Sequence, residues 1–179
     1  KIANKYVVPA TVTAIKDAAF RDCPYLTSID AQNSHLVSIG LSAFNGTPLT
    51  EITLPGTVTF IANYAFRYCS ELSTFKIYNP VPPALGTNVF QYASTSSCKL
   101  YVPKGAKASY AAADQWNSFA NTEEFIIDGV ENPDMPGLII SQQGGLLRIS
   151  GVAVGETLRI YGLSGQLIAS RKAETAIVD

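Results

Sequence analysis

The apolar positions of this chain fall into two phrases that alternate and recur. The first runs Pro9-Ala-Thr-Val12-Thr-Ala-Ile15-Lys-Asp-Ala-Ala19-Phe20 and returns 46 residues later as Pro55-Gly-Thr-Val58-Thr-Phe-Ile61-Ala-Asn-Tyr-Ala65-Phe66. Half that offset is the repeat length, because Leu36, Ile39, Ala43 and Phe44 supply the same apolar skeleton in between. Phe20, Phe44, Phe66 and Phe90 then mark successive units, spaced 24, 22 and 24 residues. The second unit has Asn33 where Pro stands in the first and third, so its turn is expected to differ. The fourth is degenerate, its start rewritten by Pro80, Pro82 and Pro83.

The second phrase follows each Phe: Leu26-Thr-Ser-Ile29-Asp-Ala31, then Leu49-Thr-Glu-Ile52-Thr-Leu54, then Leu72-Ser-Thr-Phe75-Lys-Ile77. Alternation of this kind predicts a short strand with apolar residues inward and polar residues outward. Cys98-Lys-Leu100-Tyr-Val102-Pro103 reads as a fourth rung. A single rung has no way to bury its apolar side, whereas stacked neighbours do, so the pattern predicts a solenoid.

Past Pro103 the chain turns to helix formers, with Tyr110, Trp116 and Phe119 spaced among them over residues 104–119. A solenoid exposes its core at an open end and needs a cap, and Trp116 with Phe119 suit that task. A strand at Phe125-Ile-Ile127 is expected to close the unit. Residues 128–137 hold turn and breaker residues and read as a linker. Beyond them, short apolar runs at 138–140, 146–149, 157–161 and 166–169 are separated by glycine pairs and read as β-hairpins. The expected fold is mainly β with short helices: a leucine-rich-repeat solenoid of about four repeats of about 23 residues, helix-capped, over residues 1–127. A small all-β, sandwich-like module over 138–179 follows it.

These residues resemble a known family, the BspA-type leucine-rich repeats found in surface proteins of Bacteroidetes and some parasites. The likeness rests on the Pro-x-x-Val-x-x-Ile-x-x-x-Ala-Phe phrase and on the Cys or Gly shortly after it (Cys23, Gly46, Cys69), over roughly the first 120 residues. It implies adhesion or protein binding without catalysis. Leu158-Arg-Ile160-Tyr161-Gly-Leu-Ser-Gly165-Gln-Leu167 is similar to Por-type secretion sorting domains. That likeness implies export and outer-membrane association, although the last strands of such domains are missing. Lys1 in place of Met is read as the start of a processed or excised chain, with any signal peptide upstream of it.

Composition narrows the function further. Hydrophobic residues make up 47% and charged residues 15% of 179, which excludes a disordered chain. A net charge of -1 with no basic run argues against nucleic acid as a partner. No apolar stretch approaches the roughly 20 residues that span a bilayer.

Catalytic chemistry finds little support. His35 is the lone histidine, whereas nucleophilic triads and most zinc sites need His with placed partners; a solvated turn residue is the better reading. No phosphate-cradling or dinucleotide motif occurs, and neither a cofactor nor a metal is expected. Cys23, Cys69 and Cys98 are odd in number. The first two occupy the same repeat position two rungs apart, roughly 10 Å at the usual strand spacing, beyond disulfide reach. All three are expected to be small buried apolar groups. Asp30 and Glu51 could face each other across neighbouring rungs as a hydrolase pair, but a solvated sheet face is the plainer reading. Asp128, Glu131 and Asp134 could hold calcium but lack the spacing of a dedicated loop. Asn45-Gly-Thr47 is a glycosylation sequon that matters in a eukaryotic host alone.

The alternation assigns one binding surface, the outward strand residues Ser28, Asp30, Glu51, Thr53, Thr74, Lys76, Lys99 and Tyr101, with Tyr78 beside them. The function expected is a secreted or cell-surface binding module for an extracellular protein or glycan. A passive stalk is the alternative, and a hydrolase the least supported.

Overall fold

The computed structural model describes residues 4–126 in full and, beyond them, the strands alone. The chain divides into two compact units, Lys1–Ile126 and Ile127–Asp179.

The first unit repeats one path coil after coil. Each coil lays down one longer strand, then a two-residue strand, then a run of turns. The first coil holds β1 (Asn4–Val7) and β2 (Ala14–Ile15), and the second holds β3 (Leu26–Asp30) and β4 (Ser38–Ile39). The third holds β5 (Glu51–Leu54) and β6 (Phe60–Ile61), and the fourth β7 (Thr74–Ile77) and β8 (Ala84–Leu85). The fifth begins with β9 (Lys99–Pro103), continues as helix α1 (Lys107–Ala112) and a 3-10 turn, Trp116–Ser118, and leads into β10 (Asn121–Phe125). The odd strands and β10 form one parallel sheet in the order β1-β3-β5-β7-β9-β10, and β2-β4-β6-β8 form a second.

The structure therefore has one coil more than the four rungs read from sequence. Asn4–Val7 lacks the Leu-x-x-Leu spacing and lies exposed at the sheet edge, yet it pairs in parallel with β3. The second sheet was also unanticipated. Two-residue strands carry too few positions for periodicity to register.

The core runs the length of the coils. Ile29, Ile52, Phe75 and Leu100 are fully buried from one sheet, Ile39 and Ile61 from the other. The phenylalanines that mark the repeat form a ladder. Phe20 on Phe44, Phe44 on Phe66 and Phe66 on Phe90 have ring centroids 5.3, 5.2 and 5.7 Å apart, with planes within 12° of parallel.

The turn run that carries each Phe is a ladder as well. Residues at every second position donate N–H to the next coil: Ala18 to Leu41, Phe20 to Ala43 and Asp22 to Asn45. The intervening Ala19, Arg21 and Cys23 donate back three residues, to Lys16, Ala18 and Phe20. Every N–H from Ala18 to Cys23 is paired in this way, and the pattern requires a left-handed residue twice per coil. Those residues are Ala18 and Asp22, Ser42 and Gly46, Tyr64 and Tyr68, and Asn88 and Tyr92.

The 46-residue offset now has a physical cause, because odd and even coils differ. Asp17 Oδ1 accepts the Leu41 N–H at 2.7 Å, and Asn63 Oδ1 accepts the Thr87 N–H at 2.8 Å. Each acceptor sits against a glycine of the following coil. A Cβ on Gly40 or Gly86 would lie 2.6 Å from the backbone nitrogen of Asp17 or Asn63. The polar acceptor of one coil and the glycine of the next thus form a two-coil unit.

The turn that lacks proline is closed by a serine. Ser34 Oγ donates to Ala31 O at 2.7 Å and accepts the Leu36 N–H at 3.3 Å. In the first and third coils Val12 and Val58 donate to Pro9 and Pro55 instead.

The cap is shorter than the helix expected over 104–119. It stops at Ala112, because Ala113 is extended and Gln115 is left-handed. The reason is hydrogen bonding. Gln115 accepts the Val89 N–H at 2.8 Å and donates to Gly86 O at 2.7 Å, bridging two groups whose counterparts in the earlier coils bond each other, Ala43 N–H to Gly40 O and Ala65 N–H to Ala62 O. Trp116 donates to Pro83 O at 3.0 Å and Tyr110 to Asn79 O at 2.8 Å, so the cap seals the proline-rich stretch. Glu124 Oε1 accepts from Gly105 and Lys107, both at 3.0 Å, supplying the partner that the start of α1 lacks within itself.

The closing strand lies earlier than Phe125-Ile-Ile127. β10 is largely polar, Ile126 is 58% exposed, and Ile127 lies outside the described residues. Register with β9 placed this strand, not an apolar run. In the second unit β11 (Ile139–Gln143), β12 (Leu146–Ser150) and β15 (Ile177–Val178) form an antiparallel sheet, and β13 (Thr157–Tyr161) pairs antiparallel with β14 (Leu167–Lys172). The expected linker and its carboxylates Asp128, Glu131 and Asp134 lie outside the described residues.

Candidate functional site

The outward residues of the long strands meet in columns, because parallel pairing in constant register repeats one position on every rung. One column runs Lys5, Ser28, Glu51, Thr74, Lys99, Asn121. Its neighbour runs Val7, Asp30, Thr53, Lys76, Tyr101, Glu123. All eight residues assigned from sequence lie in these columns. Each is half-buried or exposed, while the residues between them, Ile29, Ile52, Phe75 and Leu100, are buried.

Sequence reasoning missed four members, Lys5, Val7, Asn121 and Glu123, and the adjoining Phe125. Counting one repeat back from Ser28 and one forward from Tyr101 reaches Lys5 and Glu123, but β1 and β10 carry no apolar signature to prompt it.

The ends of the face are tied by charge. Lys5 Nζ lies 2.9 Å from Asp30 Oδ2, and Lys99 Nζ lies 3.1 Å from Glu123 Oε1. Burial draws the Asp30 carboxyl upward, but the Lys5 hydrogen bond, the Gln32 N–H and the Lys5 charge outweigh it and hold it below its ordinary value. The Lys99 ammonium is held above its ordinary value by the hydrogen bond and charge of Glu123. Exposed pairs like these contribute little to stability; they fix side-chain positions. Across the two columns Lys5, Lys76 and Lys99 balance Asp30, Glu51 and Glu123, so the face carries no net charge.

Near the fifth coil the face gains an aromatic anchor. Tyr78 and Phe125 meet edge to face with centroids 4.9 Å apart, and Lys76 Nζ stands 4.4 Å from the Phe125 centroid and 5.0 Å from that of Tyr78. Those distances fall in the cation–π range and hold the lysine stem against the rings. Tyr101 is the register neighbour of Lys76.

The other residues weighed from sequence take structural places. His35 is an exposed turn residue whose Nδ1 lies 2.8 Å from Ala10 O. The ionised Asp30 is engaged by Lys5, and no group of three or more His, Cys, Asp or Glu among the described residues could hold a metal ion. The three cysteines are free. Cys69 and Cys98 are buried as expected, but Cys23 is only half-buried. Burial pushes the Cys69 thiol up to about 11 and the Cys98 thiol up to about 12. Reaction requires thiolate and access. Alkylation of the native protein at neutral pH is therefore expected to mark Cys23 and to spare Cys69 and Cys98 until denaturant is added, as peptide mass mapping would report. Native labelling of Cys69 would mean that the third coil opens.

A stack of parallel coils with a continuous core, a phenylalanine ladder and a polar strand face defines a leucine-rich-repeat solenoid. More narrowly, the chain belongs to the BspA-type leucine-rich repeat family, whose model matches residues 2–111 in six copies. Repeats of this family serve in protein interaction in general, usually at surfaces or in secreted proteins, and are typically non-enzymatic. No curated protein matches the chain. No helix among the described residues is long and apolar enough to cross a membrane.

Proposed function

We propose that this chain is a non-catalytic adhesion module, secreted or displayed at a bacterial outer surface, that binds an extracellular protein through its strand face. One observation carries the reading: the assigned residues form two unbroken columns with the aromatic-held Lys76 beside Tyr101. Tyrosine is among the residue types in which interface hot spots are enriched, and the rings of Tyr78 and Phe125 hold Lys76 in place beside Tyr101. The residues at 138–179 serve export and attachment in this reading, by their likeness to Por-type sorting domains.

The test is a screen of the purified chain against extracellular-matrix proteins, with the Lys76→Ala/Tyr101→Ala double variant alongside. Saturable binding that the variant weakens by about thirtyfold or more, the usual size of a hot-spot loss, is the expected result. Because the face is electroneutral, the affinity should change little between low and physiological salt. Silence from folded protein across the panel would leave the repeats a passive stalk.

A further inference from the structure

A different side of the solenoid carries aromatic rings that its packing does not require. The left-handed positions of the first two coils are held by Ala18, Asp22, Ser42 and Gly46, all small. The third and fourth coils place Tyr64, Tyr68 and Tyr92 there, at φ of 58°, 60° and 61°. Bulky residues enter that region at a cost in backbone strain. Asn88 shows that this same turn accepts a residue better suited to it. Nor does the core use the rings, for Tyr68 is 48% and Tyr92 62% exposed. Strain kept at exposed positions outside the core is a mark of binding sites.

The rings are arranged as one platform. Tyr68 and Tyr92 stack at 4.9 Å with planes 15° apart. The Arg67 guanidinium lies 4.7 Å from the Tyr68 centroid, 5.3 Å from that of Tyr64 and 5.8 Å from that of Tyr92. The inter-coil ladder sets this spacing: Gly46 N–H donates to Arg67 O at 2.9 Å and Tyr68 N–H to Gln91 O at 3.0 Å. Asn45 and Gln91 occupy the positions on either side of Arg67 in the neighbouring coils.

We infer that this turn-edge platform of Tyr64, Arg67, Tyr68 and Tyr92 is a glycan-binding site, taking sugar rings against the tyrosine faces. Pyranose C–H faces suit exposed aromatic rings, and sugar hydroxyls suit guanidinium and amide donors. Three rings and one arginine fall far short of the roughly 800 Å² per partner that a stable protein interface covers, so a small-footprint ligand is the fit. The site is separate from the strand face and stands whether or not that face binds a protein.

Calorimetric titration of the whole chain with cellohexaose, mannohexaose, chitohexaose and a galacturonate hexamer tests it. Tyr92→Asp and Tyr68→Gly reproduce Asp22 and Gly46, which other coils carry at this same position, so both are expected to fold with Tm unchanged or raised. Each should weaken saccharide binding by about tenfold or more, as loss of a ring contact implies. The Lys76→Ala/Tyr101→Ala variant should bind saccharide like the parent. The proposal is overturned if the folded parent binds none of the four, or if both variants bind as well as the parent. It is equally overturned if both variants lower Tm and leave binding intact, since the rings would then be structural.

Discussion

Phe66→Ala is expected to lower the unfolding free energy of the repeat unit by about 3–5 kcal/mol, the range for removing a buried aromatic ring. Phe66 is fully buried and sits mid-ladder, between Phe44 at 5.2 Å and Phe90 at 5.7 Å, with Phe75 edge-on at 5.5 Å. Its loss leaves a void that the neighbours are poorly placed to fill. Their backbones are pinned by the inter-coil bonds that Phe66 itself shares, donating N–H to Val89 O at 3.0 Å and following Phe44, which donates to Ala65 O at 2.8 Å. In a solenoid stability is held in nearest-neighbour contacts, so a cavity here weakens the coupling of the second and third coils to the fourth. Urea unfolding followed by circular dichroism would measure it. Phe20→Ala should cost less, because Phe20 is only partly buried at the first coil. A loss below about 1 kcal/mol at Phe66 would show that the ladder repacks freely, contrary to the close packing of protein interiors.

Trp116→Ala is expected to cost a similar amount, about 3–5 kcal/mol, for a different reason. Trp116 is 1% exposed and meets Phe75, Phe90, Tyr110 and Phe119 with centroids 5.2 to 6.0 Å away. It also satisfies Pro83 O. Removing it uncovers the end of the core. Trp116→Phe separates the two contributions, since the ring remains and the N–H is lost. That variant should fall short of the parent by about 1–3 kcal/mol, the cost of an unsatisfied buried acceptor with some lost packing. Thermal unfolding of both would decide; equal losses would mean that the hydrogen bond and not the packing holds the cap.

The repeat period, the phenylalanine markers, the long strands from the second coil onward and the eight outward residues were all legible in the sequence. Each depends on side-chain alternation, and alternation survives as a pattern along the chain. β1 and β10 were not legible. They are strands because a neighbour offers an unpaired edge in register, a property of the partner strand and not of Asn4–Val7 or Asn121–Phe125. The helix ended early for a related reason. Gln115 has ample helix propensity, but a left-handed turn there sends its amide to Val89 and Gly86, and tertiary hydrogen bonding overrides so weak a local preference.

By itself, then, the sequence determined that this protein is a stacked array of leucine-rich coils with a helical cap and a polar strand face, because burying one stripe of every repeat allows few other arrangements. Only the tertiary structure decided which residues complete that face, that its charges cancel, and that three strained tyrosines gather around Arg67. The ion pairs of the face and the stack of Tyr68 on Tyr92 join residues one coil apart, brought together by register across the coils and invisible to any window of neighbouring positions.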